Sequence, residues 1–114
     1  ACLDVANSIC AGEWPDETID CLAEHTINLH IKDYQFKLDP YGVGFCIEGA
    51  PMGNGLTNIQ SLLSKFIDTE ISAIYEHWLP WPGNFEDAKE NEDKWTAESI
   101  VYLKRLTSEL IQNQ

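Results

Sequence analysis

Basic residues are scarce in this sequence. Its 114 residues include 7 Lys and Arg against 19 Asp and Glu, which gives a formal net charge of −12 at pH 7. Proteins that bind DNA or RNA through the phosphates carry a basic surface. The charge therefore predicts that nucleic acid is not a partner.

Long apolar runs are absent as well. No stretch approaches the roughly 20 residues that span a bilayer, and the first residues do not form a basic region followed by an apolar one. The four cysteines, Cys2, Cys10, Cys21 and Cys46, show no CxxC spacing, and 44% hydrophobic residues can form a core without disulfides. We expect a soluble cytoplasmic protein with reduced thiols and no membrane contact.

An initiator methionine is missing too. The opening residues, "ACLDVANS", alternate as a strand does, with Cys2 and Asp4 on one face and Ala1 and Leu3 on the other. The length fits one domain or a piece of one, over residues 1–114. We therefore expect the chain to begin within a fold.

Strands and helices alternate along the chain. The predicted elements are a strand at 1–4, a short helix from Pro15, a strand at 26–32, a glycine-rich loop over 40–55 with one extended piece at 44–48, a helix at 59–66 capped by Thr57 or Asn58, a strand at 71–76 and a long helix from about Glu92. Strands separated by helices pair in parallel with right-handed crossovers, so the predicted class is α/β.

Three reactive side chains stand at the ends of the predicted strands. Asp4 ends the first strand, His30 lies near the end of the second and Glu76 ends the third. The two-residue period of a strand lets all three point to one side of a sheet. The carboxyl ends of parallel strands are where α/β enzymes assemble their active sites, so we expect these side chains to converge.

Two carboxylates and an imidazole suit Mn²⁺, Mg²⁺, Co²⁺, Fe²⁺ or Zn²⁺. Taken singly, each residue has a simpler interpretation: Asp4 as a capping or loop carboxylate, His30 as a core imidazole bonded to a neighbour, Glu76 as a solvated strand end. Their shared position at three consecutive strand ends favours a divalent metal site.

Other residues are weaker candidates. Lys32 can contact a substrate oxygen or phosphate, or it can be a surface charge or a partner for Asp33. Trp78 and Trp81 can stack on a sugar or pack on their own loop. The glycines of "GAPMGNG" offer backbone N–H groups to a phosphate, but the pattern is no Walker loop and the charge around it is negative.

Five segments together resemble a known family. They are "CLDVANS", "INLHIKDY", "GAPMGNG", "IYEHWLPW" and "ENEDKWTAESIVYLKRL". In this order they are similar to the C-terminal part of the sugar phosphate isomerase/epimerase family, the xylose isomerase-like TIM barrels. The resemblance implies a (β/α)8 barrel of which this chain supplies about three β/α units, strands six to eight, and the long C-terminal helix.

The resemblance also implies a metal site and a reaction. The family holds its metal, for which Mn²⁺ is the first choice here, with Glu, Asp, His and Glu from four strands. Asp4, His30 and Glu76 match the last three, and the first glutamate has no counterpart. The implied activity is isomerisation or epimerisation of a sugar or sugar phosphate, in which a metal-stabilised enediolate forms and Glu76 moves the proton.

Several departures and alternatives remain open. Asn7 stands where members often have a histidine, and it can still bind a substrate hydroxyl. With one ligand and the second glutamate missing, we expect the chain alone to be inactive and to need the N-terminal half of the barrel or an oligomer partner. The alternatives are a metal-dependent lyase or dehydratase acting on an oxidised sugar, and a non-catalytic half-barrel subunit or fragment.

Overall fold

The computed structural model describes residues 1–113 and has an α/β fold. Its strands and helices follow one another without long gaps. In chain order they are β1 (Cys2–Asp4), α1 (Asn7–Cys10), α2 (Pro15–Leu22), a 3₁₀ turn (Ala23–His25), β2 (Asn28–Ile31), β3 (Asp33–Leu38), β4 (Phe45–Ala50), α3 (Ile59–Phe66), β5 (Ser72–Tyr75) and α4 (Phe85–Gln112).

Three strands form a parallel sheet in the order β1, β2, β5. Leu3 lies opposite Leu29, and Leu29 lies opposite Ala73. Helices separate these strands along the chain, so the strands run in one direction and their carboxyl ends meet at one edge. The predicted parallel α/β arrangement is therefore confirmed for this sheet, in which β1 and β5 are the outer strands.

The helices close one face of the sheet. In α3 the buried residues Ile59, Leu62 and Phe66 recur at helical spacing, and Asn58 caps the helix by accepting the N–H of Ser61 at 3.1 Å. Of the two predicted caps, Asn58 is thus the one used. The buried core consists of Leu3, Val5, Ile19, Leu29, Ile31, Met52, Ile59, Leu62, Phe66 and Leu106.

A β-hairpin replaces most of the predicted glycine-rich loop. β3 and β4 pair antiparallel over six residues each, so the single extended piece expected at 44–48 was wrong in extent and pairing. Apolar residues alternate along both strands, while Gly42 and Gly44 have positive φ and form the turn. The many glycines of this segment suggested a loop throughout. Gly42 and Gly44, however, lie only at the tip of the hairpin, between its two strands.

Both ends of the chain contain more helix than expected. The short helix α1 lies where a loop was predicted, and α4 begins at Phe85 instead of near Glu92. Asn84 caps α4 by accepting the N–H of Asp87 at 2.9 Å, and acidic residues in the first turn suit the positive end of the helix dipole. Within residues 1–113, no helix is both long enough and apolar enough to cross a membrane.

Candidate functional site

The carboxyl ends of β1, β2 and β5 bring Asp4, His30 and Glu76 together. Asp4 lies opposite His30 in the sheet register, and the N–H of Glu76 donates to the carbonyl of Ile31 at 2.9 Å, which extends the ladder past β5. One potential ligand atom from each of the three side chains lies within 4.8 Å of the other two. The convergence expected from the strand ends is present.

Each of the three side chains also has protein partners. Asp4 Oδ1 accepts the backbone N–H groups of Ala6 and Asn7, both at 3.2 Å, which fixes the carboxylate orientation. His30 Nδ1 lies 3.0 Å from Glu76 Oε2. The simpler interpretations of Asp4 and His30 thus describe real contacts, and these contacts orient the two side chains toward the shared centre.

Lys32 lies at the middle of the cluster. Its Nζ is 2.7 Å from Asp4 Oδ2 and 3.0 Å from Glu76 Oε2, and the residue is 1% exposed. The interpretations of Lys32 as a surface charge or as a partner for Asp33 are therefore wrong. A buried ammonium needs opposite charges around it, and two strand-end carboxylates supply them.

Charge at the site controls the state of Glu76. The hydrogen bond from Lys32 lowers the pKa of the Glu76 carboxyl. Partial burial raises this pKa, but the positive charge of Lys32 and the hydrogen bond with His30 lower it further, and the net shift is downward. Glu76 is therefore a carboxylate at neutral pH. Its side chain is 43% exposed, so it connects the buried ammonium with solvent.

Trp78 covers the ammonium, with Lys32 Nζ 4.7 Å from the indole centroid. The hairpin approaches closely on the other side, because a Cβ at Gly49 would lie 2.1 Å from the carbonyl oxygen of Trp78. Glycine at this strand position lets the two backbones meet. Trp78 thus joins the site to the hairpin, whereas Trp81 is 61% exposed and packs edge-on against Phe85.

The cluster includes neither the candidate Asn7 nor the other two histidines of the chain, His25 and His77. Asn7 begins α1 beside Asp4, and its side chain is exposed. His77 stacks on Tyr75 with ring centroids 5.3 Å apart, and the carbonyl of His25 accepts the N-terminal amine of Ala1. His77 follows Glu76 directly in the chain, but among the described residues neither histidine belongs to the group of ligand atoms formed by Asp4, His30 and Glu76.

Asp33 has a structural role that the sequence did not suggest. The residue is fully buried, and its carboxylate accepts the N–H groups of Gly53 at 3.0 Å, Gly55 at 2.8 Å and Thr57 at 2.9 Å. The loop glycines that were considered for phosphate thus bind a carboxylate of the chain itself. An Asp directly after a strand, followed by a glycine-rich stretch, was the signal that could have indicated this contact.

The chain is similar to an enzyme. It is 40% identical over 104 residues to a 3-oxo-isoapionate decarboxylase of Pectobacterium atrosepticum. The match covers 90% of this chain and 38% of the relative, so the chain spans less than two fifths of that enzyme's length. No protein-family model and no solved structure matches.

Proposed function

We propose that this chain carries part of the active site of a metal-dependent lyase that decarboxylates an oxidised sugar. The observation that carries the proposal is the convergence of Asp4, His30 and Glu76 at three parallel strand ends, in a chain related to a decarboxylase. The same residues were predicted for an isomerase or epimerase. The name of the relative favours the lyase, which the sequence had left as the alternative.

The donor set fits a hard or borderline divalent cation. Two carboxylates and one imidazole match the ligands of Mn²⁺, our first choice, and also of Co²⁺, Mg²⁺, Fe²⁺ and Zn²⁺. A cation bound there would supply a positive charge that stabilises an oxyanion developing on the substrate. Asp4, His30 and Glu76 would hold it, and a further ligand would come from outside the cluster.

A 3-oxo acid has its keto group β to the carboxylate. When the bond between C1 and C2 breaks, carbon dioxide leaves and the electron pair moves through C2 to the keto oxygen as an enolate. A proton must then reach C2. Positive charge near the keto oxygen stabilises the enolate, and a nearby acid completes the reaction.

Lys32 and Glu76 can supply the charge and the proton. Lys32 Nζ lies 3.0 Å from Glu76 Oε2 and 4.7 Å from the centroid of the Trp78 indole. We assign Lys32 as the donor to C2 and as a contact for the substrate oxygen. The partly exposed Glu76 returns a proton to Lys32 from solvent. Asp4, which pairs with the same ammonium, holds Lys32 in place.

We also place the three strands as strands six to eight of a xylose isomerase-like barrel. On the face of the sheet that carries the cluster, Ile74 is 49% exposed, and this supports the placement because a closed barrel would cover such an apolar side chain. On the same face Cys2 Sγ donates to Asn28 Oδ1 at 3.3 Å, and Asn28 Nδ2 donates to Ser72 Oγ. The partner that completes the site would be the N-terminal half of the barrel, and the substrate a small oxidised sugar or sugar phosphate.

Metal binding tests the proposal without requiring activity. We expect titration calorimetry to detect one Mn²⁺ per chain, and Asp4→Ala or His30→Ala to weaken binding by at least about tenfold, since each removes a ligand. His25→Ala is the matched control and should leave binding unchanged. If all variants bound Mn²⁺ equally well, the proposed metal site and the enzyme assignment would both be rejected, and the alternative of a non-catalytic subunit would stand.

Product analysis separates the lyase from the isomerase. The isomerase remains a second candidate because Glu76 is anionic and can remove a proton beside a keto group. A 3-oxo sugar acid and a ketose would be incubated in D₂O with Mn²⁺ and the protein paired with its completing segment. Release of carbon dioxide from the acid supports the lyase. Deuterium exchange into the ketose without carbon dioxide release supports the isomerase.

A further inference from the structure

The tip of the β3–β4 hairpin presents an apolar finger, defined as Leu38, Tyr41 and Val43. Their exposures are 72%, 90% and 82%. The finger is ordered, because Asp39 Oδ1 accepts the N–H of Tyr41 at 2.8 Å and the Asp39 carbonyl accepts the N–H of Gly42 at 2.8 Å. Three large apolar side chains are thus held outward by a defined turn instead of folding back on the chain.

The base of the same hairpin carries an apolar groove. A cavity of about 500 Å³ lies against Trp14, Tyr34, Phe36 and Leu56, and a second of about 220 Å³ shares Trp14 and Phe36 and continues to Phe45. Trp14, Leu56 and Phe45 are 59%, 55% and 63% exposed. A contiguous apolar patch of this size on a protein surface usually marks a site of interaction with another molecule.

We propose that the hairpin is an exchange arm between two copies of this chain, in which the finger of each copy fills the groove of the other. The tip of the finger and the larger cavity lie toward opposite ends of the hairpin, whose strands are about 20 Å long at roughly 3.3 Å per residue. The smaller cavity reaches Phe45, which pairs with Leu38 of the finger. Antiparallel packing of two hairpins about a two-fold axis brings each tip to the other base. Such an interface uses the same patch twice and closes on itself.

The available area suits a stable dimer. Trp14, Phe36, Tyr41 and Phe45 are each 40–90% exposed, and an aromatic side chain can bury about 150–250 Å². These four therefore supply on the order of 500 Å² per copy, to which Leu38, Val43 and Leu56 add. A specific interface needs about 800 Å² per partner, which is within reach of this set.

Charge also favours a second copy at this surface. Two chains of net charge −12 repel each other over most of their surfaces. Between Tyr34 and Ile47, however, the only charged residues are Lys37 and Asp39, which have opposite signs. Elsewhere in the hairpin Asp33 is buried and Glu48 pairs with Lys37, and Asp16 is the acidic residue that lines the groove. Association through the hairpin therefore meets less repulsion than association through the rest of this acidic molecule.

The test is the molar mass in solution by light scattering and sedimentation velocity at micromolar concentrations. We expect twice the 12.9 kDa of the chain. Val43→Lys in the finger and Leu56→Lys in the groove should each raise the dimer dissociation constant by at least about tenfold. Val101→Lys, at a position 70% exposed on α4, is the matched control and should not change it. Circular dichroism confirms that each variant is folded.

Mixing the variants tests the finger-in-groove contact itself. The Val43→Lys chain retains its groove and the Leu56→Lys chain retains its finger, so a mixture restores one intact contact and should dimerise more tightly than either variant alone. A monomeric native chain, or a dimer that Val43→Lys and Leu56→Lys weaken no more than Val101→Lys does, would overturn the proposal. Failure of the mixture to recover would exclude the contact between finger and groove.

Discussion

The ammonium of Lys32 is shared by the carboxylates of Asp4 and Glu76. All three groups lie at the edge of the sheet, where a divalent cation is proposed to bind. If no positive charge lay between them, the carboxylates of Asp4 and Glu76 would repel each other in this partly buried site. Lys32 therefore holds them at hydrogen-bond distance, and its own burial depends on them.

Lys32→Met keeps an unbranched side chain that is one heavy atom shorter, and it removes the charge. We expect the free energy of unfolding to fall by about 3 kcal/mol, near the lower end for breaking a buried ion pair, because Glu76 remains partly exposed. Mn²⁺ should restore more stability to this variant than to the native chain, since it supplies the missing charge. Urea unfolding with and without Mn²⁺ measures both effects.

Lys37→Met is the control for that substitution. Lys37 pairs with Glu48 at 3.2 Å on the surface, and its side chain is 65% exposed. Loss of an exposed pair costs at most about 1 kcal/mol, and Mn²⁺ should not alter the difference. Equal losses for the two variants would show that Lys32 is not the ammonium that holds the cluster.

Asp33 organises the loop after β4 through its carboxylate. Asp33→Asn replaces one acceptor oxygen by an NH₂ group, which faces backbone N–H donors of the loop. We expect a loss of about 2 kcal/mol in unfolding free energy and faster amide hydrogen exchange at Gly53, Gly55 and Thr57. Asp39→Asn in the hairpin turn should leave exchange in this loop unchanged. Unchanged protection in Asp33→Asn would contradict the assigned role.

At the scale of elements, the position of the hairpin depends on one close approach. β4 meets the segment after β5 where Gly49 lies against the backbone of Trp78, and Trp78 in turn covers Lys32. The hairpin, the loop and the site therefore form one packed unit. A substitution at the base of the hairpin is therefore expected to shift the side chains at the carboxyl ends of β1, β2 and β5.

Gly49→Ala tests this contact. The new Cβ would lie 2.1 Å from the Trp78 carbonyl oxygen, so the backbones must separate. We expect a loss of about 1–3 kcal/mol, typical of overpacking, together with weaker Mn²⁺ binding. Gly42→Ala meets open space and is strained only by its positive φ, at about 1–2 kcal/mol. It should leave Mn²⁺ binding unchanged, and equal binding by both variants would contradict the coupling.

At the scale of the whole molecule, the parallel sheet is open at both sides. β2 is paired on both sides, whereas β1 and β5 each have one partner within residues 1–113. Unpaired strand edges associate readily with other strands. The proposed barrel would cover these edges, whereas the proposed dimer contact between two hairpins would leave them open.

Amide hydrogen exchange tests whether the edges are open. In the chain alone we expect slow exchange in β2 and faster exchange in β1 and β5, because an edge strand opens without breaking the central pairing. Addition of the N-terminal half of the barrel should slow exchange at the two edges. Equal protection of all three strands in a monomer would contradict the open-sheet arrangement.

The sequence determined the features that depend on local pattern. Helical spacing of apolar residues and the Asn58 cap located α3, alternation located the strands, and the order of elements required a parallel sheet. Because parallel strands end at one edge, the convergence of Asp4, His30 and Glu76 followed from position alone. The hairpin was missed because its turn glycines were read as a loop.

Only the tertiary structure decided the environment of Lys32 and Asp33. These neighbours are both buried charges, yet Lys32 meets the two strand-end carboxylates and Asp33 meets a backbone loop. No local pattern distinguishes Lys32 from a surface charge, because Asp4 and Glu76 are distant in sequence. For Asp33 the glycine-rich stretch that follows was a signal, but it did not show that the loop folds back onto this carboxylate. Their burial becomes favourable only when β1, β5 and the loop after β4 close around them and satisfy each charge.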